Sequence, residues 1–204
     1  KVESTPQART IFFGMDQGSD ELRSSNIKGK NPFKDKRVRQ AFYQAIDIEA
    51  IKKKVMRDLS SPAGIITFPG VTGYTKALDE RLSYDAESSK TLLAEAGYPD
   101  GFDITLDCPN DRYVNDEAIC TAVASMLSKV GINVTLDAQT KSKHFGDLKE
   151  NLSDFYMLGW GVPILDSHYV FSFLYDSKGS WNKTNFSNAR VDELIANMLV
   201  EVNL

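Results

Sequence analysis

Short apolar runs along the chain predict buried strands at 9–15, 104–106, 132–136 and 155–158. Between these runs, apolar residues recur three and four positions apart, which predicts amphipathic helices. The clearest such stripe comprises Val38, Ala41, Phe42, Ala45 and Ile46. Strands that alternate with helices in this way indicate an α/β protein.

Capping residues predict where several helices begin, because their side chains can accept hydrogen bonds from the free N–H groups of a first turn. The expected caps are Asp35, Asp47, Asp85 and Asn115. Two further helices are expected near 142–149 and 169–174. The last helix is expected to turn an apolar stripe inward, formed by Val191, Leu194, Ile195, Met198 and Leu199.

The order of the elements predicts how the strands pair. The strands at 104–106 and 132–136 flank one helix, so they form a βαβ unit and run parallel. The stretch 58–84 is rich in Gly, Pro, Ser and Thr, and we expect a long irregular excursion there. We expect the excursion to lie within a single α/β domain over 1–204.

The segment 154–169 is the strongest candidate for a ligand-binding edge. Gly159, Gly161 and Pro163 are expected to end its buried strand and to form a loop before the next helix. Such a loop lies at the carboxyl edge of the sheet, where open α/β sheets bind ligands. Trp160, between two glycines, can offer an aromatic face to a ligand, and filling the core is an equally good interpretation of it.

Composition narrows the class of protein. Of 204 residues, 42% are apolar and 25% are charged, which is typical of a folded domain and not of a disordered segment. The formal net charge of −4 argues against a nucleic-acid partner. No apolar run is long enough to span a bilayer.

The first residues of the chain and its cysteines give information about where in the cell the protein resides. Lys1-Val2-Glu3-Ser4 is not a leader sequence, so we expect neither a membrane protein nor a precursor, although a trimmed piece of an exported protein fits. Cys108 and Cys120 are the only cysteines. A disulfide and a pair of free buried thiols are both compatible with their positions.

The sequence lacks most of the signatures that mark catalytic and metal-binding sites. His144 and His168 have no Cys or carboxylate neighbours at metal-site spacing. The sequence contains no phosphate loop, nucleophile elbow or dinucleotide motif. Asp16, Asp107 and Asp111 stand near strand ends, where solvated or capping roles are the simpler expectation. Nothing in the sequence therefore requires an enzyme, a metal or a cofactor.

Several segments together resemble one family, the extracytoplasmic solute-binding proteins, family 5, of peptide-type ABC importers, which bind dipeptides, oligopeptides or nickel. The resemblance covers nearly the whole chain in the family's order. Its segments are Asn31-Pro32-Phe33-Lys34-Asp35-Lys36-Arg37-Val38-Arg39-Gln40-Ala41, Ala45-Ile46-Asp47, Tyr84-Asp85, Leu92-Leu93-Ala94-Glu95-Ala96-Gly97-Tyr98, Met126-Leu127-Ser128-Lys129-Val130-Gly131-Ile132, Gly159-Trp160 and Val191-Asp192-Glu193-Leu194-Ile195.

The resemblance implies more than the composition does. Members of that family are roughly twice this length or more, and they close two lobes over a ligand at a hinge. This chain would be the second, C-terminal lobe, of the type II, cluster C periplasmic-binding-protein class, with a mixed sheet flanked by helices. The implied precursor carries a signal peptide, and the mature monomer is periplasmic or extracytoplasmic, with a lipid anchor in a Gram-positive source. Its implied partners are a small-molecule or peptide ligand, the first lobe of the same protein and an ABC permease in the membrane.

The resemblance also suggests ligand contacts. Family members often place an arginine and a tyrosine after the second strand, here Arg112 and Tyr113, which would pair with a carboxylate and stack or donate a hydrogen bond. Peptide binders hold the ligand ammonium with an aspartate after Gly-Trp. Here Pro163 stands near that place, and the nearest acid, Asp166, can also cap a helix. The predicted ligand-binding residues are Trp160, Gly161, Asp166, Arg112 and Tyr113.

The departure at Pro163 leaves the solute open among peptides, nickel chelates, glutathione, opines and modified amino acids. We expect a ligand-capturing lobe of an importer's binding protein, with no catalysis of its own. Two alternatives from other classes stay open. One is a small α/β enzyme acting on an amino acid or ester, and the other is a sensor or chaperone lobe that binds a partner through 58–84.

Overall fold

The computed structural model describes residues 7–200, which contain one mixed four-stranded sheet. The strands are β1 (Arg9–Met15), β2 (Phe102–Pro109), β3 (Ile132–Gln139) and β4 (Phe155–Gly161), in the order β1-β4-β2-β3. β2 runs parallel to β3 and to β4, whereas β1 is an edge strand antiparallel to β4. The expected α/β class and the parallel βαβ unit are confirmed.

Helices flank this sheet. They are α1 (Lys36–Ala45), α2 (Ile48–Ala50), α3 (Ala86–Glu95), α4 (Asp116–Ser128), α5 (Lys141–Lys149), α6 (Ser167–Leu174) and α7 (Ala189–Asn197). A 3-10 turn at Pro32–Lys34 precedes α1, and α2 continues as a π-helical turn over Ile51–Val55. Within residues 7–200, none of the helices combines the length and the apolar character needed to cross a membrane.

Side-chain caps begin three of the helices as expected. The carboxylates of Asp35, Asp47 and Asp85 each accept a hydrogen bond from a backbone N–H of the following first turn. Asn115 stands at the N-cap position of α4, as expected, but its side chain makes no capping hydrogen bond, so that part of the prediction is wrong. Asn115 has a left-handed backbone with φ of 56°, and its side-chain amide donates to the carbonyl of Val55 at 3.0 Å, so it ties α4 to the π-helical turn instead.

Two hydrophobic clusters lie on opposite faces of the sheet, because successive residues of β4 point to opposite sides. Phe155 belongs to the larger cluster, in which the Phe42 ring lies 5.1 Å from Phe33 and 5.5 Å from Phe155. Tyr156 and Leu158 belong to the smaller cluster, together with residues of α6. β4 is therefore covered on both faces, which positions its carboxyl end firmly.

Two predicted features are wrong. β4 does not end at Gly159, because Gly159 and Gly161 both pair with residues of β1. Of the stripe expected to face inward on α7, Ile195 is buried, but Leu194 is 47% exposed and Leu199 is 70% exposed. Among the described residues that side of the helix is therefore only partly covered. The excursion over 58–84 is irregular as expected, because it contains no helix and no strand of the sheet.

A disulfide joins the end of β2 to α4. Cys108 and Cys120 are bonded, their Cα atoms lie 6.5 Å apart, and both residues are fully buried. Of the two alternatives compatible with the sequence, the structure therefore has the disulfide. The closed loop contains Arg112 and Tyr113, two of the predicted ligand-binding residues.

Replacement of Cys108 and Cys120 by alanine should lower the free energy of unfolding by about 3 kcal/mol, because the disulfide restricts the unfolded chain. Denaturant titration of the wild type and the double variant measures the difference. Wild type in reductant is the matched control and should unfold like the variant. Thiol titration of the denatured, unreduced wild type should detect no free thiol, and reactive thiols there would contradict the bond.

Asp107 is a buried carboxylate on the opposite face of β2 from Cys108. Its exposed fraction is 9%. Burial raises the pKa of Asp107 to about 6, and repulsion from Asp137, Asp147 and Asp154 acts in the same direction. At neutral pH the folded state therefore holds this carboxylate ionised at a cost in stability.

Asp107→Asn should stabilise the protein by about 1–3 kcal/mol near pH 7.5, and the gain should disappear near pH 4. The folded-state pKa lies above the unfolded value, so the stability that the bound proton contributes is present near pH 4 and is lost as the pH rises through about 6. Denaturant titrations across this range test the prediction. Asp103→Asn, at an exposed position on the same face of β2, is the control. An equal gain at both pH values would contradict the electrostatic cause.

Candidate functional site

A concavity of about 650 Å³ opens at the edge of the sheet where β4 ends and β1 begins. Its lining residues come from those strands, from α5 and α6, and from the adjoining loops. They are Ala8, Arg9, Arg112, Phe145, Lys149, Leu158, Gly159, Trp160, Gly161, Val162, Pro163, Tyr169 and Trp181. Three predicted site residues, Trp160, Gly161 and Arg112, line it together, whereas Tyr113 and Asp166 are not part of the lining.

Side chains close a gap in the sheet beside this concavity. The backbone N–H of Gly159 donates to the Tyr113 hydroxyl at 2.8 Å, and the Gly159 carbonyl accepts from Nη1 of Arg9 at 3.1 Å. β4 pairs with β2 earlier along the strand, where Tyr156 lies opposite Asp107. Two side chains thus satisfy backbone groups that a neighbouring strand would otherwise bond.

The loop after β2 is held at its base by Asp116. One carboxylate oxygen of this buried residue accepts the backbone N–H groups of Arg112 at 2.9 Å and of Tyr113 at 2.8 Å. The Cys108–Cys120 disulfide joins the two sides of the same loop. Because the backbone is fixed at these points, Arg112 extends toward the concavity from a rigid support.

Tyr113 supports two cations. Its ring centroid lies 5.0 Å from the guanidinium carbon of Arg112 and 5.8 Å from that of Arg9, within the range of cation–π attraction. Burial raises the pKa of the Tyr113 hydroxyl, while the hydrogen bond from the Gly159 N–H and the two arginines act in the opposite direction. The net shift is upward, so the phenol is neutral at physiological pH. In this structure Tyr113 is a positioning residue for Arg9 and Arg112.

The two glycines around Trp160 have different reasons to be glycine. A Cβ on Gly159 would lie 2.5 Å from the Ile11 side chain and 2.7 Å from the Tyr113 ring, so the close packing of that ring requires a bare backbone. A Cβ on Gly161 would meet its nearest neighbour, the Ala8 carbonyl oxygen, at 3.5 Å, which is an ordinary contact. Packing therefore explains Gly159 but does not explain Gly161.

Trp160 fits both interpretations of its role. Its ring lies 5.8 Å from Tyr169, 5.7 Å from Phe173 and 6.0 Å from Trp181, and it packs against the smaller core cluster. The residue is nevertheless half-buried and lines the concavity. A ligand on this surface would meet an aromatic face held by three other rings.

Asp166 occupies the N-cap of α6. Its carboxylate accepts the backbone N–H of His168 at 2.8 Å, and the residue forms a β-bridge with Thr72 of the 58–84 excursion. The capping interpretation describes this geometry, and a ligand contact by Asp166 stays a prediction. Pro163, near the position where peptide binders are expected to carry an acid, does line the concavity.

Five of the lining residues were not predicted from the sequence: Ala8, Arg9, Phe145, Lys149 and Trp181. They come from the start of β1 and the residue before it, from α5 and from the segment before α7, so no local motif groups them. For Arg9, the missing information was the antiparallel pairing of β1 with β4. That pairing brings the start of one strand to the end of the other. A cation at the start of an edge strand was the only signal available.

The lining consists mainly of aromatic, aliphatic and cationic residues. Within the described residues it contains no carboxylate, histidine, cysteine, serine or threonine side chain. Asp107, whose pKa is raised to about 6, is not among the lining residues. The surface presents aromatic faces and cationic hydrogen-bond donors within a partly apolar pocket.

A family model and several known proteins match most of this chain. The profile of the bacterial extracellular solute-binding proteins, family 5 Middle, matches residues 1–182. The glutathione-binding protein GsiB of Escherichia coli (strain K12) is 27% identical over 186 residues, which cover 86% of this chain and 35% of that protein. The chain thus spans about a third of the length of the curated relatives it matches.

Solved structures show the same fold. The binding protein AgaA of A. tumefaciens R10, in complex with agropinic acid, superposes with a TM-score of 0.81 at 26% identity, over 97% of this chain and 38% of that one. A dipeptide-binding protein from Pseudoalteromonas sp. SM9913, in complex with Met-Leu, has a TM-score of 0.82 at 23% identity, over 100% of this chain and 39% of that one. At that identity the second likeness concerns the fold alone.

The matched profile covers most of the chain, and the mixed sheet, the flanking helices and the concavity at the strand ends agree with it. The chain therefore belongs to the bacterial extracellular solute-binding proteins of family 5.

Proposed function

We propose that this chain is a ligand-binding lobe of an extracytoplasmic protein that captures a small solute and delivers it to an ABC permease. The observation that carries the proposal is the aromatic and cationic concavity at the strand ends of a family 5 chain. In a Gram-positive source, a lipid anchor would keep such a protein at the membrane. The cargo is a peptide or a related small solute.

Capture by a two-lobed protein depends on closure. The concavity is open on one side, so it offers half of a cleft and a second lobe would supply the remaining contacts. Contacts made only in the closed form raise the affinity and report ligand occupancy to the permease. We propose that the first lobe of the same protein is that partner.

Each predicted site residue has a defined part in this proposal. Arg112 donates hydrogen bonds to the ligand, Trp160 stacks on it, and Gly161 lets it approach the backbone. Tyr113 does not contact the ligand but positions Arg9 and Arg112 through cation–π contacts with its ring. Asp166 acts by fixing the turn that leads into α6.

An enzyme at the same edge has less support. It would need a nucleophile or a base with a shifted pKa inside the cleft. The described lining provides neither, and the one carboxylate with a strongly raised pKa, Asp107, belongs to the sheet outside it.

A thermal-shift screen of the full-length protein that carries this lobe tests the proposal. A saturating cargo should raise stability by about 3 to 4 kcal/mol at a hundred- to thousandfold excess over Kd. The panel contains dipeptides, tripeptides, glutathione, opines, other amino-acid derivatives and nickel chelates. A flat response to the whole panel would contradict capture of these solutes and would favour a partner protein instead.

Gly161→Ala should weaken binding of the cargo identified in that screen at least tenfold and leave unfolding nearly unchanged. The added methyl group meets no close neighbour in the protein but occupies the surface that the ligand approaches. Gly159→Ala is the matched variant and should lose about 1–3 kcal/mol of stability, because its methyl group overlaps Ile11 and Tyr113. Titration calorimetry and denaturant unfolding give the two readouts. Unchanged affinity in Gly161→Ala would place the ligand elsewhere.

A further inference from the structure

Arg9 is a cation built into the wall of the concavity. Its Nη1 donates to the Gly159 carbonyl at 3.1 Å, and its guanidinium lies 5.8 Å from the Tyr113 ring centroid. Its Nε is buried without a hydrogen-bond partner among the described residues. The side chain is thus oriented by two contacts that leave donor capacity unused.

The charges around the concavity have one sign. Arg9, Arg112 and Lys149 line it, and within residues 7–200 no aspartate or glutamate does. The lone acid of the nearby turn, Asp166, is committed to the cap of α6. A partly apolar pocket lowers the local dielectric, so the cations attract an anion and repel an ammonium more strongly there than in bulk water.

The remaining wall is apolar and aromatic. Trp160, Tyr169, Trp181 and Phe145 line it, and the Phe145 and Trp181 rings pack edge to face at 6.0 Å. Arg112 lies 6.0 Å from the Phe145 ring, so the cationic and aromatic surfaces adjoin. A matching ligand has an anionic group next to an apolar or planar body.

We infer that the cargo enters this lobe as a net anion. A carboxylate of the cargo pairs with Arg9 beside Arg112, its body lies on Trp160, and its amino group is absent or blocked. The inference rests on the proposed capture function and names its solute class. A guanidinium held in a fixed plane suits bidentate pairing with a carboxylate, whereas a free ammonium would face three cations.

The test compares ligands that differ only in charge, on the full-length protein. Met-Leu, glutathione and a single amino acid are each supplied free, N-acetylated and with the carboxylates amidated. The acetylated, anionic form of at least one scaffold should bind at least tenfold more tightly than the free form, and no amidated form should bind. Affinity for the anion should fall as salt is raised, because the pairing is ionic.

Variants assign the effect to Arg9. Arg9→Gln should weaken binding of the acetylated ligand at least tenfold, whereas Arg23→Gln, which removes the same charge from an exposed position outside the lining, should not. Pro163→Asp adds a carboxylate to the wall and should shift preference toward the free amine. The salt dependence of the wild type gives an independent readout if Arg9→Gln folds poorly.

The outcomes separate this inference from the function beneath it. Tighter binding of the free or amidated forms, or no binding of any acetylated form, overturns the anionic class and leaves capture of another solute standing. Absence of binding to every solute, in this series and in the broader panel, overturns the capture function itself. Equal loss in Arg9→Gln and Arg23→Gln overturns the assignment to Arg9.

Discussion

Two hydrogen bonds at Gly159 hold together the edge of the sheet that borders the concavity. Its N–H is bonded by Tyr113 and its carbonyl by Arg9, so three separate parts of the chain meet at one peptide unit. The unit lies in β4, which is covered on both faces by hydrophobic clusters. The buried strand is rigid, and the hydrogen bonds to it fix the positions of Tyr113 and Arg9 beside the concavity.

Much of the fold could be predicted because the relevant signals are local. Asp35, Asp47 and Asp85 each cap a helix through bonds to the next few residues, and the parallel βαβ unit follows from the order of its elements. Asn115 was not predictable in the same way, because its amide bonds to Val55, which is distant in sequence. Residue type therefore predicts which side chains can cap a helix, but tertiary contacts determine whether the capping hydrogen bond forms.

The site was predicted less completely for a related reason. Trp160 and Gly161 belong to the recognisable Gly-Trp-Gly run that ends β4, and Arg112 stands in the loop after β2. Arg9, in contrast, reaches the site only because β1 pairs antiparallel with β4. Gly159 illustrates the opposite error. Its residue type suggests a strand end, yet the strand continues because the missing side chain makes room for the Tyr113 ring. The same amino acid can mark a turn or a close approach, and only the packing distinguishes them.

The disulfide adds a dependence on compartment to this arrangement. Cys108 and Cys120 close the loop that contains Arg112 and Tyr113, and disulfides persist in oxidising surroundings outside the cytoplasm. In a reducing compartment the loop would lose this covalent tie and would depend on hydrogen bonds, such as those that Asp116 accepts from its backbone. The position of Arg112 at the concavity would therefore vary with the redox state of the surroundings.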